Sequence, residues 1–395
     1  MQTIDLIYFN AGGGHRAAAQ ALQQVMAWRP WNVRLVNLTE MLDPQGRFRK
    51  LTGIEPEDIY NKRLASGFTL GLARELTVLQ GLIRLGHQSM TRRLRAHWLR
   101  ASPDLVVSLI PNFNRVLCES LGAALPGVPY VTVLTDMADH PPNFWIEPGL
   151  PQHLVCGTAH AAAQALAAGC RPESIHRTSG MILRPAFYEL AALDRAAARR
   201  SLGLDPLQPV GLVLFGGQGS NAMKRIATDL RDTPLILLCG RNRPLAARLR
   251  ALPSHAARVV VEFTHDVAHW MRLADFFIGK PGPGSLSEAV HMGLPVIVTR
   301  NAWTMPQERW NTEWVCQNGV GVVHRNNQGL PAAVADTLAR LPELKAKVRC
   351  VQNRAVFEVP RILERLLEQA PRAPLPQHAW CATHARPLPA AASMP

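Results

Sequence analysis

From its first residues the chain alternates short apolar runs with amphipathic stretches. "IDLIYFN" is nearly unbroken in its apolar character, and residues 15–27 behind it repeat alanine, leucine and methionine at helical spacing. A run of that length is too short for a helix and lacks the alternation of a strand with one wet face, so it predicts a strand buried on both sides. "NVRLVNL", "PDLVVSLIP", "PYVTVLTD" and "HLVCGT" continue the series, and residues 172–181 lead through the linker "ILRPAFY" into the second half. There the repeat sharpens into six units, with strands "VGLVLFGG", "PLILLCG", "RVVVEF", "FFIGK", "PVIVT" and "GVGVV". Strands alternating with helices imply an α/β protein with parallel sheets covered on both faces. We therefore expect two doubly wound, Rossmann-like domains, at residues 1–185 and 186–370, with the helix "RILERLLEQ" closing the second. Residues 371–395 are proline-rich and aperiodic, which predicts a disordered tail.

Residues 45–100 break the pattern. Leu72, Leu76, Leu79 and Ile83 recur near helical spacing among Arg84, Arg92, Arg93, Arg95 and Arg100, forming a basic helical insert. Two readings stay open: helices that turn the leucines to the core and the arginines to water, or a surface that sits on anionic lipid. The formal charge of +14 admits nucleic acid, an anionic membrane face or an anionic small ligand. Few aromatics interleave the arginines, so no base-stacking platform is visible and nucleic acid is set aside. The start of the chain lacks the basic and apolar regions of a signal peptide, which predicts a cytoplasmic protein. The seven cysteines are scattered singly, without metal-ligand spacing, and agree with a reducing compartment.

In a doubly wound sheet of the usual six-strand order, ligands bind where the winding reverses, between the first and fourth strands. In the second domain both of those strands end in glycine-rich loops, "GGQGS" at 216–220 and "GKPGPGS" at 279–285, and each opens a helix. Helix N-termini offer unpaired N–H groups to phosphate, and glycine lets the backbone come close. Gly217, Gln218, Gly219 and Ser220 in the first loop, and Lys280, Gly282, Gly284, Ser285 and Leu286 in the second, are the phosphate-binding candidates. Glu288, one turn further on, suits a ribose, or is a solvated carboxylate favoured by the helix dipole. Three features mislead. Gly12, Gly14 and Ala17 formally match a dinucleotide fingerprint, but no acidic residue ends the second strand at Asn37. "HDVAH" at 265–269 resembles a zinc helix, yet Asp266 stands where a helix cap is expected and no third ligand appears, so no metal is expected. No Asp-x-Asp pair exists to bridge a metal to a diphosphate.

The motifs "GGGHRAAA", "TDMADHPPNFW", "ILRPAFY", "LFGGQGS", "DVAHWMRLADFFIGKPGPGSLSEAVHMGLPVIV" and "PQERWN" occur in order. Together they resemble the monogalactosyldiacylglycerol synthase group of glycosyltransferase family 28, with the peptidoglycan lipid-intermediate N-acetylglucosaminyltransferase a more distant relative. The resemblance implies a GT-B fold, two Rossmann-like domains facing across a cleft, with a UDP-sugar held mainly by the second as co-substrate and no other cofactor. It also implies roles: the loops ending at Ser220 and Ser285 hold the diphosphate, and Thr264 reads the uracil edge. Glu288 binds the ribose, Gln307 and Glu308 bind the sugar hydroxyls, and Asn311 completes that motif. Arg184 and Pro185 keep the family's linker. The first loop lacks a glycine that the lipid enzymes carry, and "TDMADHPPNFW" departs from the plant wording.

The family inverts at the anomeric carbon, so an acceptor hydroxyl must lose a proton as it attacks. His15 follows Gly14 at the carboxyl end of the first strand, at a helix start whose dipole favours neutral imidazole. It is the candidate base, with Asp136, Asp139 and His140 as rivals or, for the aspartates, as groups that orient it. The expected protein is a hexosyltransferase with a lipid acceptor such as diacylglycerol, peripheral on the inner membrane face. A UDP-sugar epimerase of the same architecture, or a non-catalytic nucleotide-sugar binder, is the alternative.

Overall fold

The computed structural model describes residues 1–10, 13–46, 50, 72–302, 304–325 and 329–370, of which 72–77 are described as helix without their side chains. Gly12, much of the basic insert with the side chains of Leu72 and Leu76, and the 371–395 tail lie outside the described residues.

Twelve strands form two sheets among the described residues. The first contains β1 (Gln2–Tyr8), β2 (Trp31–Asn37), β3 (Leu105–Ser108), β4 (Tyr130–Val133), β5 (His153–Cys156) and β6 (Ile175–Arg177). The order is β2-β1-β3-β4-β5-β6, and every pairing is parallel. The second contains β7 (Gly211–Leu214), β8 (Leu235–Leu238), β9 (Arg258–Val261), β10 (Phe276–Gly279), β11 (Val296–Thr299) and β12 (Gly321–His324). Its order is β12-β11-β10-β7-β8-β9, also all parallel. β7 and β10 therefore lie side by side, with Leu214 level with Gly279, and the winding reverses between them as the sequence predicts. The first sheet reverses between β1 and β3.

Two features differ from expectation. β6 is read from sequence only as a path to the linker. Its residues "IHR" carry one apolar side chain, and it joins the sheet by backbone pairing with β5, as a short polar edge strand. The last helix, Ala355–Gln369, does not close the second unit. Its Val356, Val359, Ile362 and Leu363 pack among Ile4, Leu6, Ala19 and Leu22, so it covers the first sheet. Periodicity defines an apolar stripe but not the sheet that receives it.

The chain thus crosses between the sheets twice, and the two crossings are tied together. Asn353 Nδ2 donates to the Met181 carbonyl at 2.9 Å, and the Arg354 N–H donates to Ser179 Oγ at 2.7 Å. Lining the same cavity as these ties, His160 stacks flat on Trp310, with centroids 4.3 Å apart and planes 8° apart, joining the two halves.

The described part of the basic insert is two helices, Leu72–Leu85 and His87–Ala101. The second buries Leu94 and Trp98, the indole N–H donating to Ser120 Oγ, and turns Arg92, Arg93, Arg95 and Arg100 outward. In the first, among the side chains described, Val78 is 62% exposed, Leu82 60% and Leu85 86%, whereas Ile83 of the predicted stripe is half-buried.

Candidate active site

The site is built from two strand-end crevices. In the second sheet, the turn after β7 carries Gly217, Gln218, Gly219 and Ser220, and Ser220 Oγ accepts the Ala222 N–H at 3.2 Å to start the helix Ala222–Asp229. Gly219 has φ +62°, and a Cβ there would stand 2.6 Å from the Cys239 carbonyl, so the turn tolerates no side chain at this point. After β10, Lys280 leads through Gly282 to the helix Pro283–His291. Gly284 and Ser285 lie in its first turn, and a Cβ on Gly284 would meet no atom within 4 Å. Leu286 behaves differently from its neighbours. Its side chain is fully buried in the core and its N–H donates to the Gly282 carbonyl, so it anchors the helix and brings no free polar group to the crevice.

Three buried residues behind this loop shape it. Asn311 Nδ2 donates to the Pro281 carbonyl at 2.7 Å, which holds the loop against the helix Arg309–Asn318. Glu308, 3% exposed, accepts from Lys280 Nζ at 2.8 Å through Oε1. Gln307 Oε1 and Asn311 Oδ1 are buried without hydrogen-bond partners among the described residues. Buried acceptors are almost always paired, which sets these two apart from most of the interior.

The far end of this crevice is framed by the linker. Arg184 donates to the His265 carbonyl at 3.1 Å and reaches Glu288 at 3.8 Å, which brings the linker, the turn after β9 and the helix Pro283–His291 together. Burial pushes the Glu288 carboxyl up to about 7, against the opposing pull of the Arg184 guanidinium. Thr264 Oγ1 accepts the Asp266 N–H at 3.1 Å, closing the turn that leads from β9. Asp266 in turn caps the helix Val267–Arg272, accepting the His269 N–H at 2.9 Å. "HDVAH" is thus a capped helix start, and no group of three His, Cys, Asp or Glu residues among the described residues is arranged to hold a metal.

The first sheet supplies the other rim. His15 sits in the first turn of the helix Gly14–Met26, directly after Gly14, and is half-buried. Its Nδ1 lies 3.0 Å from Thr135 Oγ1, and its ring is 5.9 Å from that of Trp145. Desolvation pulls the imidazole down to about 4, although a bond to the Leu109 carbonyl works against the shift, so the ring is neutral at pH 7. Asp136 Oδ2 accepts from Trp145 Nε1 at 2.9 Å. Burial raises the Asp136 carboxyl to about 7; the Trp145 bond opposes this, Glu308 adds to it and Lys280 opposes it. That Glu308 and Lys280 act on Asp136 puts the two rims within electrostatic reach of one another. Asp139 is a scaffold residue: its oxygens accept the Trp145 and Asn143 N–H groups at 2.6 and 3.1 Å. His140, exposed, is held below its ordinary pKa by desolvation and by Arg309.

Sequence reasoning missed Thr135 and Trp145. Both lie inside or beside "TDMADHPPNFW", but only the fold reveals that the Trp145 indole spans from Asp136 to the His15 ring.

The architecture is shared with known proteins. MurG of Acinetobacter baumannii superposes with a TM-score of 0.56 at 13% identity, over 92% of this chain and 100% of that one. HepE of Anabaena in complex with UDP-glucose gives 0.52 at 14%, over 93% and 100%. Two parallel six-stranded sheets with crevices opposed across a junction define the GT-B class of fold. Residues 212–366 match the glycosyltransferase family 28 C-terminal domain. The probable monogalactosyldiacylglycerol synthase 2 of Oryza sativa subsp. indica is 30% identical over 290 residues, 69% of this chain and 60% of the rice protein. The monogalactosyldiacylglycerol synthase 3 of Arabidopsis thaliana is 27% identical over 406 residues, 95% of this chain and 83% of its own length. The chain spans about 60% of the length of the rice relative.

Proposed function

We propose that the protein transfers a hexose from a UDP-sugar to the hydroxyl of a lipid acceptor such as diacylglycerol, with inversion at the anomeric carbon. The observation that carries the reading is the opposition of two unlike crevices. One is a pair of glycine loops at helix starts with unpartnered buried acceptors behind them. The other presents a neutral imidazole at a strand end. The similarity to monogalactosyldiacylglycerol synthases supports the lipid acceptor and the hexose.

In this reading the diphosphate lies along the turn at 216–220 and the first turn of Pro283–His291, where free N–H groups and the helix dipole offset its charge. Thr264 and Glu288 hold the nucleoside, and Arg184 keeps Glu288 in place. Gln307, Glu308 and Asn311 meet the sugar hydroxyls, with Lys280 beside Glu308. The acceptor oxygen attacks C1 of the hexose as the bond from C1 to the β-phosphate oxygen breaks. The acceptor proton passes to His15, and UDP leaves with the bonding electron pair. Asp136, tied to Trp145, contributes negative potential beside the reacting carbon when ionised. The exposed Val78, Leu82 and Leu85 with the neighbouring arginines dock the enzyme on an anionic membrane, bringing the acceptor to the crevice.

The test is a panel of UDP-hexoses incubated with the purified protein and a lipid extract, with products identified by mass. A glycolipid one hexose heavier than its acceptor, formed together with free UDP, is the expected result. UDP-sugar converted to its isomer with no lipid product would instead favour an epimerase.

A further inference from the structure

We propose that Thr135 is a positioning residue for the proton-transfer step, its hydroxyl fixing the rotation of the His15 ring that accepts the proton. The inference rests on the reading of His15 as the base and goes beyond it in naming what holds the base.

The geometry begins with the sheet. β1, β3 and β4 are adjacent, and the chain just past the end of each contributes to one cluster: His15 follows β1, Leu109 follows β3 and Thr135 follows β4. Thr135 Oγ1 lies 3.0 Å from His15 Nδ1. Threonine is branched at Cβ and stiff at χ1, so its hydroxyl is held in place by the backbone directly after β4 rather than by a mobile side chain. Leu134 and Val133 before it are each 2% exposed, which anchors that backbone.

The carboxylates that would ordinarily orient a catalytic histidine are engaged elsewhere. Asp136 Oδ2 accepts from Trp145 Nε1 at 2.9 Å, and Asp139 accepts the N–H groups of Asn143 and Trp145. Trp145 thus donates to both aspartates while its ring lies 5.9 Å from the imidazole. A hydroxyl in the orienting position has a different consequence from a carboxylate. It fixes the plane of the ring without adding a negative charge that would stabilise imidazolium, so the ring stays neutral and ready to accept a proton.

Thr135→Val replaces the hydroxyl with a methyl of nearly the same volume, and Thr135→Ser restores it. Two measurements separate the outcomes. The first is the ¹⁵N spectrum of the His15 ring, assigned by comparison with His15→Gln, in the uncomplexed protein. The valine variant should shift the Nδ1 resonance and the serine variant should return it. The second is steady-state transfer: kcat of the valine variant should fall about tenfold, as a base loses its alignment, with KM for donor and acceptor within about twofold of wild type and recovery in the serine variant. An unchanged ring spectrum overturns the proposal. So does a rise in KM at constant kcat, which would make Thr135 a substrate contact. If His15→Gln retains full transfer, the base reading fails, and the ring spectrum still reports separately whether Thr135 holds the imidazole.

Discussion

Lys280 Nζ lies 2.8 Å from Glu308 Oε1, so the lysine of the glycine loop after β10 is already paired within the protein. Glu308 is 3% exposed, and Gly282 stands beside the pair: a Cβ there would meet Lys280 Cε at 3.2 Å and Glu308 Oε1 at 3.3 Å. The loop is thus shaped around an ion pair, and under the proposed function the phosphates fall mainly to backbone N–H groups and the helix dipole.

A first prediction follows for Glu308→Gln. Calorimetry should find UDP bound within about threefold of wild type, because the phosphate and nucleoside contacts remain. Affinity for the intact UDP-hexose should fall about tenfold or more, since a charged partner for the sugar hydroxyls is lost and a charge-assisted bond is worth about 1.5–3 kcal/mol. Equal losses for UDP and UDP-hexose would remove Glu308 from the sugar side of the site.

A second concerns pH. Burial leaves His15 titrating near 4 and Asp136 near 7, so the two candidate bases put the acid limb of the rate profile in different places. With His15 as base, kcat/KM for a lipid acceptor should hold from pH 7 down toward pH 5, and Asp136→Asn should keep measurable transfer. A limb near 7 that disappears in Asp136→Asn would give the role to Asp136. The same shifts act on stability. An unfolded histidine takes up its proton near 6.5 and the folded His15 only near 4, so His15 costs stability as pH falls through that window. Asp136 and Glu288 have raised values in the folded state, so their contribution is present at low pH and is lost as pH rises toward 7.

Gly219→Ala is the third. The added Cβ meets the Cys239 carbonyl at 2.6 Å in a backbone with φ +62°, so the turn after β7 must move. Thermal unfolding should register a loss of about 1–3 kcal/mol, and UDP affinity should fall with it. Wild-type melting together with wild-type UDP binding would mean that the turn is not built as described.

The apolar face of Leu72–Leu85 supports a fourth. Serine at Leu82 and Leu85, 60% and 86% exposed, should reduce co-sedimentation with vesicles of anionic phospholipid at low salt, while leaving UDP binding unchanged. Undiminished sedimentation would take this face out of membrane docking.

The strands and the switch point of the second sheet are legible in the sequence because a parallel sheet buried on both faces leaves unbroken apolar runs, and the loops at 216–220 and 279–285 are punctuated by glycine. β6 is not legible, since "IHR" has no apolar run and pairs by backbone alone. The destination of the Ala355–Gln369 helix is hidden for a related reason: an amphipathic face does not encode which sheet it covers. The exposure of Leu82 and Leu85 is not readable either, because the same leucine spacing serves a core or a surface. At the site, residue type and position point to His15, while Glu288 and Glu308 are singled out by the family resemblance. The bonds among Thr135, His15, Trp145 and Asp136 join side chains far apart in sequence and exist only in the folded chain.

The central claim is transfer of a hexose to lipid with His15 taking the proton, and one comparison tests it most directly. Wild-type protein and His15→Ala, each first checked by calorimetry for UDP binding, are incubated with UDP-hexose and diacylglycerol in anionic vesicles, and the glycolipid formed per bound donor is measured by mass. The account predicts product from the wild type and a loss of about 10²–10⁴-fold in His15→Ala at unchanged UDP affinity. Undiminished product from His15→Ala, or no lipid product from a wild type that binds the donor, would contradict it.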